Sequence, residues 1–335
     1  MLQRSLLLLE RGLSVSKSKS SVMLDFDTEL VNDLASFTRD PYKFVLYSFP
    51  WGEPDTELKD FTGPDDWQKE ILCLIRDRLL TPYEAIRIAL ASGHGPGKTA
   101  LCAWIILWAM ATCVDTRGTV TANTDTQLRT KTWPELAKWY HLFIAKHWFT
   151  LTATAIYSTD PEHERTWRID IIPWSENNTE AFAGLHNLGK RIILIFDEAS
   201  AIVDKIWEVA EGALTDKNTE ILWLVMGNPT RNVGRFKDCF DKFKHRWFTK
   251  QIDARKCKMT NKEEIQRWET DYGEDSDFFK VRVRGEFPNV SDRQFIPTSF
   301  CEDARRRIVK VNQVAHAAKI IGVDMAWTGG DEVWF

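Results

Sequence analysis

Apolar and polar residues fall into two kinds of block along the chain. From Asp65, DDWQKEILCLIRDRLL spaces its apolar residues three and four apart and predicts an amphipathic helix; IRIALAS (86–92) then runs almost continuously apolar into a glycine loop and predicts a buried strand. Ala100 to Cys113 is apolar all round but falls short of the roughly 20 residues that cross a bilayer, so it reads as a buried helix. Further strands are predicted at GTVTANT (118–124), WRIDIIP (167–173), RIILIFD (191–197), EILWLVMG (220–227) and HRWFTKQID (245–253). Their apolar continuity implies cover on both faces, and alternation with helical stretches predicts an α/β fold with a central, mostly parallel sheet flanked by helices.

Around this block the pattern weakens. Residues 1–22 end in SVSKSKSS, which cannot pack, and read as a flexible arm or an overcalled start. Residues 23–64 open with helical periodicity to Leu34. From about Phe37 to Gly63 they turn rich in Pro, Gly and aromatics, predicting an irregular segment. Thr260 to Tyr272 reads as a helix capped by Asn261 or Thr260. Residues 65–288 thus form the main domain, 289–318 a linker carrying the short helix CEDARRRI, and 319–335 the start of a further domain, entered by a last strand, AAKIIGVDMAW.

Composition narrows the class. The chain of 335 residues is 44% apolar with a net charge of −4, enough for a full core and without a global basic field, so any nucleic-acid contact is local. Six scattered cysteines without CxxC spacing read as reduced, mostly buried thiols in a cytoplasmic protein, and the N-terminal apolar run is too short for a signal peptide. The 15 tryptophans read as packing rather than base stacking.

The strongest chemical signal is Ser92-Gly93-His94-Gly95-Pro96-Gly97-Lys98-Thr99, between a predicted strand and a predicted helix. Small residues let backbone N–H groups converge on phosphate oxygens, the helix adds its positive end, and Lys98 and Thr99 supply a cation and a magnesium-binding hydroxyl. Ser92 replaces the usual first glycine. In His94, loop shape is the reason preferred over phosphoryl acceptance. The strand ILIF delivers Asp197 to the sheet edge as a partner for Mg2+, with Glu198 beside it as a general base. A hydrophobic run ending in Asp-Glu is common by itself; the phosphate loop about a hundred residues upstream favours the functional reading. Gly227-Asn228-Pro229-Thr230 falls where polar side chains face a nucleotide crevice, although Gly-Asn-Pro is also an ordinary turn. Gln68 is placed to read an adenine edge, or is a surface glutamine. Basic runs at Lys242–Lys258, Lys280–Arg284 and Arg305–Arg307 read as solvated faces before they read as a track for a phosphate backbone. Arg129 and Arg168 are equal candidates for a transition-state arginine.

In order, WQ (67–68), GHGPGKT (93–99), ILIFDEAS (193–200), GNPT (227–230), VRGEFP (283–288) and GVDMAWTGGDE (322–332) resemble the large subunit of tailed-phage terminases. The resemblance implies a P-loop NTPase that packages double-stranded DNA using ATP and Mg2+. Adenine reading falls to Gln68, phosphate binding to Gly97 and Lys98, magnesium binding to Thr99 and Asp197, water activation to Glu198, and coupling to Asn228 and Thr230. It also implies a homo-oligomeric ring in the host cytoplasm, a small-subunit partner, a portal contact and no membrane. Asp324 and Asp331 match metal-binding acids at the start of a ribonuclease-H-like nuclease; with few residues after them, nuclease activity is not expected from this polypeptide. The other readings are a prophage remnant that binds nucleotide without catalysis, and a helicase-like translocase, disfavoured for want of a second motor domain.

Overall fold

The computed structural model of the chain describes residues 19–81, 84–122, 124–173, 185–289 and 304–307. The chain divides into two units, Met1–Ser291 and Asp292–Phe335. Asp324, Asp331 and the predicted last strand lie outside the described residues, as do residues 1–18 of the predicted arm.

The first unit opens with helix α1 (Lys19–Ser36) and helix α2 (Pro41–Ser48). The second corrects the irregular segment expected there. Asp40 caps it by accepting from the Lys43 backbone N–H at 3.0 Å, Pro41 presets the first turn, and Phe44 and Val45 are buried. Helix α3 (Asp66–Arg78) leads into strand β1 (Ile86–Ser92), followed by helix α4 (Lys98–Thr112) and strand β2 (Arg117–Thr121). A π-helical turn (Leu128–Thr132) runs into helix α5 (Trp133–Leu142). Strands β3 (Phe149–Leu151), β4 (Ala155–Ser158), β5 (Arg168–Ile171) and β6 (Arg191–Phe196) come next. Helix α6 (Asp204–Gly212), strand β7 (Glu220–Gly227), helix α7 (Arg235–Phe240), strand β8 (Phe248–Ile252) and helix α8 (Lys262–Tyr272) follow, with a short helical turn (Asp277–Phe279) and a π-helical turn (Lys280–Arg284) after them. Asn261 is the cap of α8, accepting from Glu264 N–H at 3.1 Å.

Among the described residues, one eight-stranded sheet runs β3-β4-β5-β2-β6-β7-β1-β8. The six strands from β5 to β8 in that order are parallel; β4 pairs antiparallel with β5, and β3 with β4. The antiparallel edge was not anticipated, because FTL and AIYS are too short for a hydrophobic run to mark them. The parallel strands at the centre of the sheet are buried on both faces. Ile88 and Leu90 of β1 face the core formed with α3 and α4, whereas Ala89 and Ala91 face Trp207 of α6 and Phe236 of α7. Helix α4 is the centre of the first core and buries residues all round its surface, from Leu101 to Met110. Trp67, Trp104, Trp108, Trp133, Trp139, Trp207 and Trp223 are buried in these layers. Cys102, Cys239 and Cys257 are buried free thiols, and Cys73 and Cys113 are half-buried.

Parallel order has one consequence for chemistry. β1, β6 and β7 all end on the same edge of the sheet, and β7 lies between the other two. Whatever follows those three strands is therefore brought together.

Candidate active site

The loop Ser92–Thr99 leaves β1 and becomes α4. Gly95 and Gly97 adopt left-handed conformations, with φ of +74° and +93°, which turn the backbone tightly ahead of the helix. Gly93 is required for a different reason: a Cβ there would lie 2.5 Å from the Val283 carbonyl oxygen and 2.6 Å from that of Arg282. The loop is pinned on this side by Gly93 N–H donating to Ile252 O at 3.2 Å and His94 N–H donating to Arg282 O at 2.7 Å. Lys280–Arg284 is thus a π-helical turn packed on the loop, not the solvated face its alternating charge had implied.

On the other side, Trp67 Nε1 donates to Pro96 O at 3.2 Å and Gln68 Nε2 to Gly97 O at 2.9 Å, while Gln68 Oε1 accepts from Asp65 N–H at 2.9 Å. Gln68 is buried, not a surface residue. Both ends of its amide are used inside the protein, so as found it closes the capping box of α3 and holds the loop.

Lys98 Nζ donates to Ser92 Oγ at 2.7 Å and Gly93 O at 3.4 Å, which keeps the ammonium over the loop. Burial lowers its pKa, and the nearby Glu198 and Asp197 oppose that shift. His94 is lowered by burial and by the cations Lys98, Arg282 and Lys131; its Nε2 lies 3.1 Å from Arg282 Nη1.

The acid pair follows β6. Asp197 N–H donates to Thr121 O at 2.8 Å, extending the ladder with β2 by one residue, and the carboxylate is buried. Its Oδ1 accepts from Glu198 N–H at 3.0 Å and its Oδ2 from Thr132 Oγ1 at 2.6 Å. Glu198 sits in the left-handed region at φ +51°, a strained conformation for a residue with a side chain. Gly227 accommodates this turn: a Cβ on it would be 3.0 Å from Ala199 N and 3.3 Å from Glu198 Cα. The Glu198 carboxyl pKa is raised, chiefly by burial and next by Asp197, against the opposing pull of Lys98, Lys131 and an Asn228 backbone N–H.

Asn228, at the end of the intervening strand, ties the two halves together. Its Nδ2 donates to Ser92 O at 2.7 Å, while its backbone N–H is among the groups that pull the Glu198 pKa down. Thr230 Oγ1 donates to Ser200 Oγ at 3.1 Å, joining the end of β7 to the turn after the acid pair. Thr99 is half-buried in the first turn of α4.

Two residues that the sequence did not mark belong to this constellation. Thr132 is 65 residues from Asp197 in the chain, and Lys131 beside it bears electrostatically on Lys98, Glu198 and His94. Neither carries a motif. Of the two candidate arginines, Arg129 lies on the same π-helical turn as Thr132. Arg168 begins β5, at the opposite sheet edge, and is bound to Asp170 at 2.6 Å. Its place excludes it from the active site of its own chain.

A glycine-turned loop, a lysine over it and an acid pair two strands away in a parallel sheet are the arrangement of the P-loop NTPase fold. No family model matches the chain. It is 28% identical over 280 residues to a probable terminase large subunit of Enterobacteria phage P7, a match that covers 80% of this chain and 54% of that protein. Among solved structures, the large terminase of bacteriophage HK97 superposes with a TM-score of 0.54 at 13% identity, over 75% of this chain and 55% of that one. The large terminase of a thermophilic bacteriophage, in complex with ADP, gives 0.51 at 15% identity, over 68% and 54%. The chain is therefore similar in sequence to a phage terminase large subunit and has the fold of phage large terminases, spanning about half their length.

Proposed function

We propose that this chain is the ATP-hydrolysing motor part of a phage terminase large subunit, driving translocation of double-stranded DNA during packaging. The observation that carries the reading is the end of β7, where Asn228 holds the phosphate loop at Ser92 and Gly227 packs against the turn of Glu198. The terminase likeness of the chain supplies the substrate class.

In this reading the backbone of Gly93–Lys98 and the positive end of α4 receive the β- and γ-phosphates, and Lys98 Nζ moves from Ser92 Oγ to their oxygens. Glu198 takes the proton of the attacking water; its raised pKa makes it a stronger base than an exposed glutamate while its strained backbone fixes its direction. Asn228 touches both the phosphate loop and the acid, and so passes a change in phosphate number into the end of β7. Thr99 and Asp197 provide a hydroxyl and a carboxylate, the hard oxygens that suit Mg2+. Asp197 is otherwise met by the neutral donors Thr132 Oγ1 and Glu198 N–H, which orient it without neutralising it. Bound there, Mg2+ would offset charge on the phosphate oxygens.

The test is Mg2+-dependent ATP hydrolysis with and without linear duplex DNA, beside Glu198→Ala. DNA-stimulated turnover that the variant abolishes while retaining ATP binding supports the motor. Binding without hydrolysis under any condition supports a nucleotide-binding remnant. No helix among the described residues is long and apolar enough to cross a membrane. The small subunit, the portal, a ring of copies and a host-cytoplasmic setting belong to the same proposal.

A further inference from the structure

The other end of β1 carries a second, unrelated feature. β8 joins β1 only at the pair Ile88↔Phe248, whereas β7 is already paired from Ile86↔Leu222. Ile86 and Arg87 therefore run past the start of β8, and the chain entering β8 is turned aside in the 3-10 turn Lys244–Arg246. This step in the sheet leaves a cavity of about 470 Å³ at the edge opposite the phosphate loop, lined by Arg78, Glu84, Arg87, His245, Arg246 and Trp247 among others.

Its charge is not balanced from within. Arg87 Nε is buried and meets no acceptor among the described residues. Burial disfavours its charge first and Arg246 next, with only partial relief from Glu211 and Glu84. Arg246 reaches Glu211 at 3.7 Å, but that carboxylate is already held by Arg235 at 2.6 Å. Arg78 is exposed in the last turn of α3. Three arginines thus line a hollow in which, among the described residues, the lining carries a single carboxylate, Glu84. A buried guanidinium N–H without an acceptor is costly to keep, and the planar fork it belongs to matches oxyanions that offer two oxygens at once. Three cations against one carboxylate favour a doubly charged oxyanion over a lone carboxylate.

The geometry points to a binding site for a phosphate group at this step in the sheet, held by Arg87, Arg78 and Arg246. The concavity admits one phosphate group, either free or on a small phosphomonoester, or one backbone phosphate of DNA. It lies apart from the nucleotide loop, so its failure leaves the ATPase reading untouched.

Inorganic phosphate is the probe, titrated by calorimetry into the full chain carrying Lys98→Ala, which removes the lysine of the phosphate loop. Saturable binding is expected, weakened roughly ten- to hundredfold by an added Arg87→Gln, the loss of one charge-assisted bond. Arg78→Gln, at an exposed position, should weaken it in the same direction and leave ATP hydrolysis of the otherwise native chain unchanged; it decides the matter if Arg87→Gln does not fold. Displacement of phosphate by a short duplex assigns the site to the DNA backbone, and its persistence assigns it to a free phosphate or phosphomonoester. Absence of saturable binding in Lys98→Ala, or an affinity that neither arginine substitution changes, overturns the proposal.

Discussion

Asn228→Ala isolates the link between the two halves of the site. The substitution removes the 2.7 Å bond to Ser92 O at a buried residue, so the carbonyl loses its side-chain donor in a place water does not readily reach. An orphaned buried acceptor costs about 1–3 kcal/mol. For a domain of this size, a mid-range loss of about 2 kcal/mol lowers Tm by roughly 4–8 °C. The effect on turnover is expected to be larger than the effect on folding, because Ser92 anchors the start of the phosphate loop and Lys98 rests on its hydroxyl. Misplacement of a reacting group by about 1 Å costs on the order of a hundredfold in rate, so kcat should fall by roughly ten- to hundredfold with nucleotide binding weakened less. Asn228→Asp is the companion: it keeps the shape, presents an acceptor to a carbonyl, and should be worse than alanine. Thermal unfolding, nucleotide titration and steady-state ATP hydrolysis measure the three quantities. A variant within about 1 °C and about twofold of the parent in Tm and kcat would show that the bond holds nothing that matters.

Thr132→Val keeps the volume but removes the donor to Asp197, costing about 1.5–3 kcal/mol for a bond to a charged group; the Mg2+ concentration for half-maximal hydrolysis should rise, and Thr132→Ser should restore it. Glu198 must be ionised to act as a base and its pKa is raised, so the acid limb of the kcat profile should lie above the ordinary value of 4.5; a limb at or below that value refutes the assignment. The same raised pKa contributes stability that is fully present below the unfolded value and lost as pH rises through the folded one. Glu198→Gln should therefore gain Tm relative to the parent as pH rises above the ordinary carboxyl value of 4.5, a trend checked by thermal unfolding. At the far end of β6, Arg191 is buried against Trp108 and bonds Glu220 at 2.7 Å, Thr112 Oγ1 at 2.8 Å and Thr38 O at 3.0 Å. Arg191→Ala should cost about 3–5 kcal/mol in chemical denaturation by stranding Glu220, while nucleotide affinity per folded molecule stays unchanged.

By itself the sequence determined the parallel strands, the loop and the acid pair. Apolar runs such as IRIALAS and RIILIF have no stable place except between two layers, and Gly95, Gly97, Lys98, Thr99 and Asp197-Glu198 occupy the positions that local backbone geometry assigns to the ends of such runs. Periodicity and left-handed glycines are properties of a few neighbouring residues, so they are legible locally. The order of strands is not local. Only the tertiary structure decided that β7 separates β1 from β6, which turns an ordinary-looking Gly-Asn-Pro into the bridge between Ser92 and Glu198. It likewise placed Thr132 on Asp197, buried the Gln68 amide against Gly97 and set the Arg282 and Val283 carbonyls on Gly93, each a contact between distant segments. The helix Pro41–Ser48 carried its own start signal, Asp40-Pro41, but the burial of Phe44 and Val45 that makes it a helix comes from the domain it packs on. Local backbone preference names the elements; the hydrophobic packing of one element on another chooses the neighbours, and here the neighbours make the site.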